Sequence, residues 1–140
     1  MKKLTSLFAI ITLLVILSAC NKDENQPATV INTDANGNTS INNILLGQQL
    51  NALPKEVPLS QDESESLLLM REEEKMARDA YLVFYQKWPQ PIFNNISKAE
   101  QTHMDAVLLL INKYELTDPV GTNSVGTFIN NDIRTLYNAF

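Results

Sequence analysis

The sequence predicts an all-α fold, a helical bundle, from three observations. Apolar residues recur at alternating steps of three and four through 67–88 and again through 93–114, which is the pattern of a helix with one buried stripe. Prolines separate these two stretches, as expected for a turn between helices. No segment alternates apolar and polar residues as a half-buried strand would. We therefore expect a long helical hairpin followed by the start of a third helix.

Residues 1–19 are predicted to be a signal peptide. Two lysines precede an apolar run that is too short to span a membrane and matches the apolar region of a secretory signal. The run ends in Leu17-Ser18-Ala19-Cys20, which resembles the lipobox of bacterial lipoproteins, where the cysteine thiol carries a diacylglycerol. Lipidation of Cys20 would hold the protein at a membrane. The alternative is an ordinary signal peptide that happens to end near a cysteine.

Residues 20–58 are predicted to be the lipidated cysteine followed by a flexible tether. Residues 21–43 are mostly polar and cannot bury enough apolar surface to offset their ordering entropy. The segment 21–24 places a lysine before two acids, which resembles the surface-export signal of some lipoproteins, although a merely hydrophilic tether would look the same. The apolar patch 44–50 is expected to pack back on the domain. We therefore predict a cell-envelope location, at the outer membrane or cell surface.

The charge of the chain argues against nucleic-acid binding. The formal net charge is −5, and the mature chain is more negative still once Lys2 and Lys3 are removed. No basic cluster remains to neutralise phosphates. The partners that we expect are the membrane, through Cys20, and metal ions.

The folded domain is predicted to span residues 59–140. Ser60 and Glu63 form a capping-box pattern at the start of the first helix, which should run to about residue 86. Pro91 suits the first position of the second helix, which should run to about residue 114. A third helical pattern begins near residue 130. Its apolar stripe is still continuing at Phe140, where the sequence ends without a helix-stop signal. Either the sequence is a fragment or the partners of this stripe come from another chain.

Three residues of types that commonly bind metals interrupt the two apolar stripes, which we call seams. Glu74 breaks the first seam, and Glu100 and His103 break the second. A carboxylate on a core face is costly unless it is paired, and a shared cation is the simplest partner. Glu74 lies about 12 residues before the end of the first helix, and His103 lies about 12 residues after the start of the second. Twelve residues rise about 18 Å along a helix, so the two side chains should lie at the same height above the turn. Carboxylate and imidazole ligands suit Fe, Mn and Zn.

The alternative is that these groups are satisfied polar residues without an ion. Ser97 and Glu100 also fit a capping box, so a second helix that began at Ser97 would leave Glu100 bonded to its own backbone. Tyr81, two turns from Glu74, is expected either to hydrogen-bond a ligand carboxylate or to be an ordinary core residue. Charged residues near Glu74 are predicted to form a solvated face with weak i,i+4 pairs. These are Arg71, Glu72, Glu73, Lys75 and Arg78. Apolar members of the two seams are predicted to be core, namely Met70, Phe84, Trp88, Val107 and Leu110.

Two long motifs resemble the bacterial and archaeal family called domain of unknown function 2202, a ferritin-like group. Residues 68–81, LLMREEEKMARDAY, look like its first helix, and residues 91–96 with 99–107 look like its second. Residues 126–128 and 136–137 look like the start of its third. The resemblance implies a four-helix ferritin-like bundle, present here as its N-terminal part. It also implies a di-iron or di-manganese centre.

In that centre Glu74, Glu100 and His103 would occupy ligand positions and form half of the usual set. The other half would lie beyond Phe140, or a second copy of the chain in a homodimer would supply it. The leading hypothesis is therefore a lipid-anchored ferritin-like protein for metal oxidation or storage, or for oxygen or peroxide chemistry. The alternatives are a non-catalytic helical envelope lipoprotein that acts as an interaction module and an inactive fragment of the family.

Overall fold

The structure is a computed structural model that describes residues 28–34, 39–54 and 58–140. This part of the chain is mostly helical, so the predicted all-α class is confirmed. The predicted signal peptide, residues 1–19, and Cys20 lie outside the described residues. The elements are β1 (Ile31–Thr33), β2 (Thr39–Ile41), α1 (Asn43–Ala52), α2 (Gln61–Lys87), α3 (Pro91–Lys113) and α4 (Asn131–Tyr137).

Helix α2 begins at the capping box that the sequence predicts. The amide of Glu63 donates to the Ser60 hydroxyl oxygen (3.3 Å), and the amide of Ser60 donates to the Glu63 carboxylate (2.8 Å). These two bonds satisfy amides that have no partner within the helix. At the other end the amide of Trp88 still donates to the carbonyl of Phe84 (2.7 Å). The predicted length of the first helix is therefore confirmed.

Helix α3 begins at Pro91 and not at Ser97. Pro91 occupies the first turn, where its missing N–H costs nothing. Ser97 lies inside the helix, is buried, and donates its hydroxyl to the carbonyl of Asn94 (2.9 Å). The early start that the sequence favours is confirmed, and the alternative in which Glu100 is a capping residue is wrong.

Helices α2 and α3 pack side by side along their apolar seams. Leu67 of α2 and Val107 and Ile111 of α3 form the centre of the core. Burial of side chains of this size contributes roughly 1.5–3 kcal/mol each. The partly buried apolar residues around this centre are Leu59, Leu68, Met70, Leu108, Leu110 and Leu116.

The segment before α2 contains a small sheet that the sequence prediction missed. β1 and β2 pair antiparallel, with Ile31 opposite Ile41. The short strands are rich in β-branched residues, and the favoured hairpin dipeptide Asn36-Gly37 lies between them in the sequence. The expectation that the chain has no strand is therefore wrong. Three-residue strands are too short to give a convincing alternation.

Helix α1 packs on α3, as the apolar patch at 44–50 suggested. Asn43 donates its side-chain amide to the carbonyl of Thr102 (3.2 Å). The ammonium of Lys113 donates to the carbonyl of Leu53 (2.9 Å) and also to that of Leu50, which lies at the end of α1. A cation there complements the free carbonyls of the helix end. Part of the predicted tether is therefore folded against the domain.

Trp88 is exposed, although the seam pattern places it in the core. It is the residue after the last turn of α2 and has an extended backbone, so its ring leaves the helical stripe. Its side chain is 48% exposed, with its ring 6.0 Å from that of Phe84 and 6.5 Å from that of Phe93. The prediction is wrong for this residue because the stripe ends with the helix.

The charged face of α2 that was predicted to be solvated is largely buried. Arg71, Glu72 and Lys75 are at most 5% exposed, although Glu73 is exposed as predicted. The loop between α3 and α4 crosses this face and supplies partners for the charges. Arg71 donates to both carboxylate oxygens of Asp118 (3.1 Å each) and to the carbonyl of Met104 (2.6 Å). Such two-point pairs are among the stronger hydrogen bonds in proteins.

Glu72 holds the start of α4. Its two carboxylate oxygens accept from the amides of Ile129 (2.6 Å) and Asn130 (2.9 Å). Asn130 in turn caps α4, because its side-chain oxygen accepts from the amides of Asp132 and Ile133. The predicted start of the third helix is confirmed. Glu72 also places a negative charge at the positive end of that helix.

Stability should depend on pH through Asp118. Burial alone would raise the pKa of Asp118, but hydrogen bonds from Arg71 and the Val120 amide outweigh it and lower the pKa. A carboxyl whose pKa is lower in the folded state stabilises the fold above its unfolded pKa of about 3.9. That contribution is lost as pH falls below this value and through the folded pKa.

Urea unfolding from pH 7 to pH 3 measures this contribution. We expect Asp118→Asn to lose about 1.5–3 kcal/mol at pH 7, the range for hydrogen bonds to charged groups. Its free energy of unfolding should also fall less steeply below pH 4. Glu65→Gln removes an exposed carboxylate from α2 and is the matched control. Equal pH profiles for the parent chain and Asp118→Asn would contradict the prediction.

No helix among the described residues is both long enough and apolar enough to cross a membrane.

Candidate metal centre

Helices α2 and α3 bring together the three metal ligands that the sequence predicts. Glu74 lies in the middle of α2, and Glu100 and His103 lie one turn apart on α3. Residues three apart on a helix share a face, so Glu100 and His103 point to the same neighbour. Because α3 starts at Pro91, the predicted levels hold and all three residues meet across the hairpin.

The distances within this group are short. His103 Nδ1 lies 3.0 Å from Glu100 Oε2 and 3.4 Å from Glu74 Oε2. One ligand atom from each residue lies within 4.8 Å of the others. Among the residues that the structure describes, this is the one group of three or more His, Cys, Asp or Glu side chains close enough to hold a metal ion.

The three side chains of the group are partly exposed to solvent. The exposed fraction of the side chain is 19% for Glu100, 26% for Glu74 and 33% for His103. Partial burial lowers the local dielectric and strengthens charge interactions relative to water. The remaining exposure leaves a path by which an ion or small molecule can reach the ligand atoms.

The three groups perturb one another's proton affinities. The hydrogen bond to Glu74 raises the pKa of His103 against the effect of its burial, and the charge of Glu100 adds to the rise. Burial would raise the pKa of Glu74, but hydrogen bonds with His103 and Glu100 lower it instead. Burial, together with the neighbouring Glu74, raises the pKa of Glu100. Protons would therefore compete with a cation for Glu100 and His103, whose pKa values are raised.

The donor set fits a transition-metal ion. Two carboxylates and one imidazole converge, and this mixed oxygen and nitrogen set suits Fe, Mn and Zn. A cation would also offset the repulsion between the two adjacent carboxylates.

Tyr81 does not join the ligands. Within the described part of the chain it donates no hydrogen bond to Glu74 or Glu100. Its ring lies 5.8 Å from that of Phe84, edge to face, and stacks on Phe93 at 6.3 Å. Tyr81 is partly buried, and its expected place beside the ligands stays a prediction.

A polar bridge beside the centre was missed by the sequence reasoning. Arg78, expected on a solvated face, donates to the side-chain oxygen of Gln101 (2.6 Å) and to Asp79 (2.8 Å). Gln101 follows Glu100 directly and donates to Asp105 (2.8 Å). The bridge fixes α2 against α3 next to the ligands. The only sequence signal was the position of Arg78, one turn after Glu74 on the same helix.

The chain resembles proteins whose function is not described. A family model described as an uncharacterized protein domain, DUF2202, matches residues 63–140. An uncharacterized protein of Methanocaldococcus jannaschii is 51% identical over 90 residues, which make up 64% of this chain and 48% of that protein. The chain thus matches about half the length of this relative. No solved structure matches this chain.

Proposed function

This chain belongs to the DUF2202 family of uncharacterized protein domains, and we propose that Glu74, Glu100 and His103 are its metal-binding residues. The observation that carries the proposal is the convergence of the three side chains within 4.8 Å across the hairpin. The two glutamates would bind or bridge the ion through carboxylate oxygens. His103 would bind through a ring nitrogen.

The ligand set supports a di-iron or di-manganese centre in particular. Such carboxylate bundles take one Glu from each of two helices and a Glu-x-x-His pair from each of the other two. Glu74 with the pair Glu100 and His103 is half of that set. A second copy of the chain, related by a two-fold axis, would bring the other half. When bound, a centre of this kind supplies metal oxidation or storage, or oxygen and peroxide chemistry.

The chain's own residues would tune this centre in two ways. The bridge from Arg78 to Gln101 holds the helices at a fixed distance next to the ligands. The partial exposure of His103 leaves access for an ion or a small oxidant. We further propose that the protein is held at the cell envelope by lipid on Cys20, as the lipobox-like segment suggests. Membrane fractionation and the mass of the N-terminal peptide would test that attachment.

Metal content tests the proposal directly. After aerobic purification, inductively coupled plasma mass spectrometry should find iron or manganese at about one ion per chain, which is two per paired site. Glu100→Ala and His103→Ala should each lose most of the metal, because each removes one of three ligands. Sedimentation should show the mass of two chains for the loaded protein.

Glu73→Ala is the matched control, because Glu73 precedes Glu74 but is exposed and lies outside the cluster. It should retain the metal content of the parent chain. Absence of iron, manganese and zinc from the parent protein, or equal metal in all four proteins, would overturn the proposal.

A further inference from the structure

The turn between α2 and α3 ends in an exposed apolar surface. We call residues 83–93 the hairpin tip. At the turn itself Trp88 and Ile92 are exposed, while Val83 and Tyr85 are exposed on opposite sides of α2, because residues two apart on a helix do not share a face. Phe84 and Phe93 pack edge to face behind them at 5.8 Å. The Phe84 ring also contacts Trp88 at 6.0 Å and Phe140 at 6.3 Å, so an aromatic cluster lies at this turn.

The charge around the hairpin tip has the opposite sign to the rest of the chain. The chain has 16 acidic and 11 basic residues, yet no acidic residue lies between Asp79 and Glu100. Lys87 and Lys98 lie in that interval. The far end of the same hairpin carries several carboxylates at the start of α2 and after α3. These are Asp62, Glu63, Glu65, Glu115 and Asp118.

We propose that the hairpin tip lies against the headgroup region of an anionic lipid bilayer. Tryptophan and tyrosine concentrate at membrane interfaces because their rings are apolar with a polar edge. Lysines beside them keep an ammonium in the headgroup layer while the carbon stem lies on apolar surface. The Lys87 ammonium lies 4.5 Å from the centre of the Trp88 ring, so a positive charge stands beside the exposed indole. Anionic lipid attracts this end of the hairpin and repels the acidic one.

The position of the N-terminal segment is compatible with this orientation. The bond from Asn43 to Thr102 places the start of α1 level with Thr102. That level is 11 residues from Pro91, or about 16 Å along the helix. The amide of Asn42 donates to the carbonyl of Val30 (2.7 Å), so β1 begins at the same level. Seven residues lie between Cys20 and Ala28, and the eight Cα steps that join the two reach at most about 28 Å. This step rests on the lipid attachment proposed above.

Trp88 is the only tryptophan of the chain, so its fluorescence reports on the hairpin tip alone. The full-length protein would be reconstituted into vesicles of phosphatidylcholine with or without phosphatidylglycerol, each with brominated lipid as a quencher. We expect a blue-shifted, quenched emission in the anionic vesicles. The ratio of docked to undocked protein should be about five-fold lower in neutral vesicles, since Lys87 at the tip contributes about that factor, whereas Lys98 lies two turns further along α3.

Ile92→Asp should abolish most of the quenching, while Leu53→Asp should leave it unchanged. These residues are matched in exposure, at 57% and 55%, but Leu53 lies beside Lys113 at the far end of α3. Circular dichroism verifies that both variants keep the parent helix content. Unquenched Trp88 in anionic vesicles, or equal effects of the two variants, would overturn the proposal. So would a blue shift without lipid that grows with protein concentration, because the tip would then bind a second copy.

Failure of the lipid attachment gives a different result. The mass of the N-terminal peptide would then show an unmodified Cys20, and alkaline extraction would release the protein. Vesicles added to that protein still test the tip, because Trp88 quenching depends on contact with lipid and not on the anchor.

Discussion

Replacing Asp79 with alanine is expected to lower the free energy of unfolding by about 3–5 kcal/mol, the cost of breaking a buried ion pair from one side. Asp79 and Lys75 are both completely buried and pair one turn apart on α2. Asp79 also accepts from the amide of Gly126 (2.9 Å) and from Arg78. The alanine would leave Lys75 as a buried charge without its carboxylate.

Lys75 has no other carboxylate partner among the residues that the structure describes. It donates to the carbonyl of Ser124 (2.8 Å) and lies 4.5 Å from the centre of the Phe128 ring. A carbonyl dipole and an aromatic face offset only part of the desolvation cost of an ammonium ion. The Gly126 amide would also lose its acceptor. The expected loss is therefore at the upper end of single-residue effects.

Urea unfolding at pH 7 measures this loss, with Glu73→Ala as the control for an exposed carboxylate on the same helix. The double variant Lys75→Met/Asp79→Leu should recover the part of the loss that comes from the unpaired Lys75 charge, because removing both charges of a buried pair is often close to neutral. The part that comes from the Gly126 amide should remain. A loss below about 1 kcal/mol for Asp79→Ala, the size of an ordinary exposed pair, would contradict the assigned burial.

The second large effect is stabilisation by metal. An ion that binds only the folded state adds about 2.7 kcal/mol when its concentration is 100 times Kd. For a domain of this size that amounts to a rise in Tm of roughly 10–20 °C. His103→Ala should remove most of the rise. The effect should shrink as pH falls, because the pKa values of His103 and Glu100 are raised and their protons compete with the ion.

Differential scanning calorimetry with Mn²⁺ or Zn²⁺, and with Fe²⁺ under anaerobic conditions, measures this rise. Glu73→Ala should show the full increase in Tm. A rise of the same size in His103→Ala would mean that the ion binds elsewhere. No rise with any of the three ions would leave Glu74, Glu100 and His103 as a hydrogen-bonded cluster and contradict the metal proposal.

The hairpin and the site cluster were predictable because both depend on local signals. Helix spacing, the capping box at Ser60 and Pro91 at the next helix start determine which residues are level. Once the ends of both helices are known, the proximity of Glu74 and His103 follows from the constant rise per residue of a helix. No knowledge of the loops is needed.

The buried charges were not predictable in the same way. Arg71, Glu72 and Lys75 have the spacing of an exposed face, and their partners come from a loop that has no periodic pattern. The sequence around a charged residue shows its charge. It does not show which carbonyl, amide or carboxylate, about 50 residues away, will hydrogen-bond to it. Trp88 was misplaced for the opposite reason, because the apolar stripe was extended one residue past the last helical turn.

The link between Glu72 and α4 also predicts how amide protons exchange with solvent. A seven-residue helix is too short to persist on its own, so α4 depends on the carboxylate of Glu72 to hold its first turn. The amides of Ile129 and Asn130 should therefore exchange only when the whole loop detaches from α2. Protection at the start of α4 would then report one cooperative opening rather than fraying at the end of the described chain.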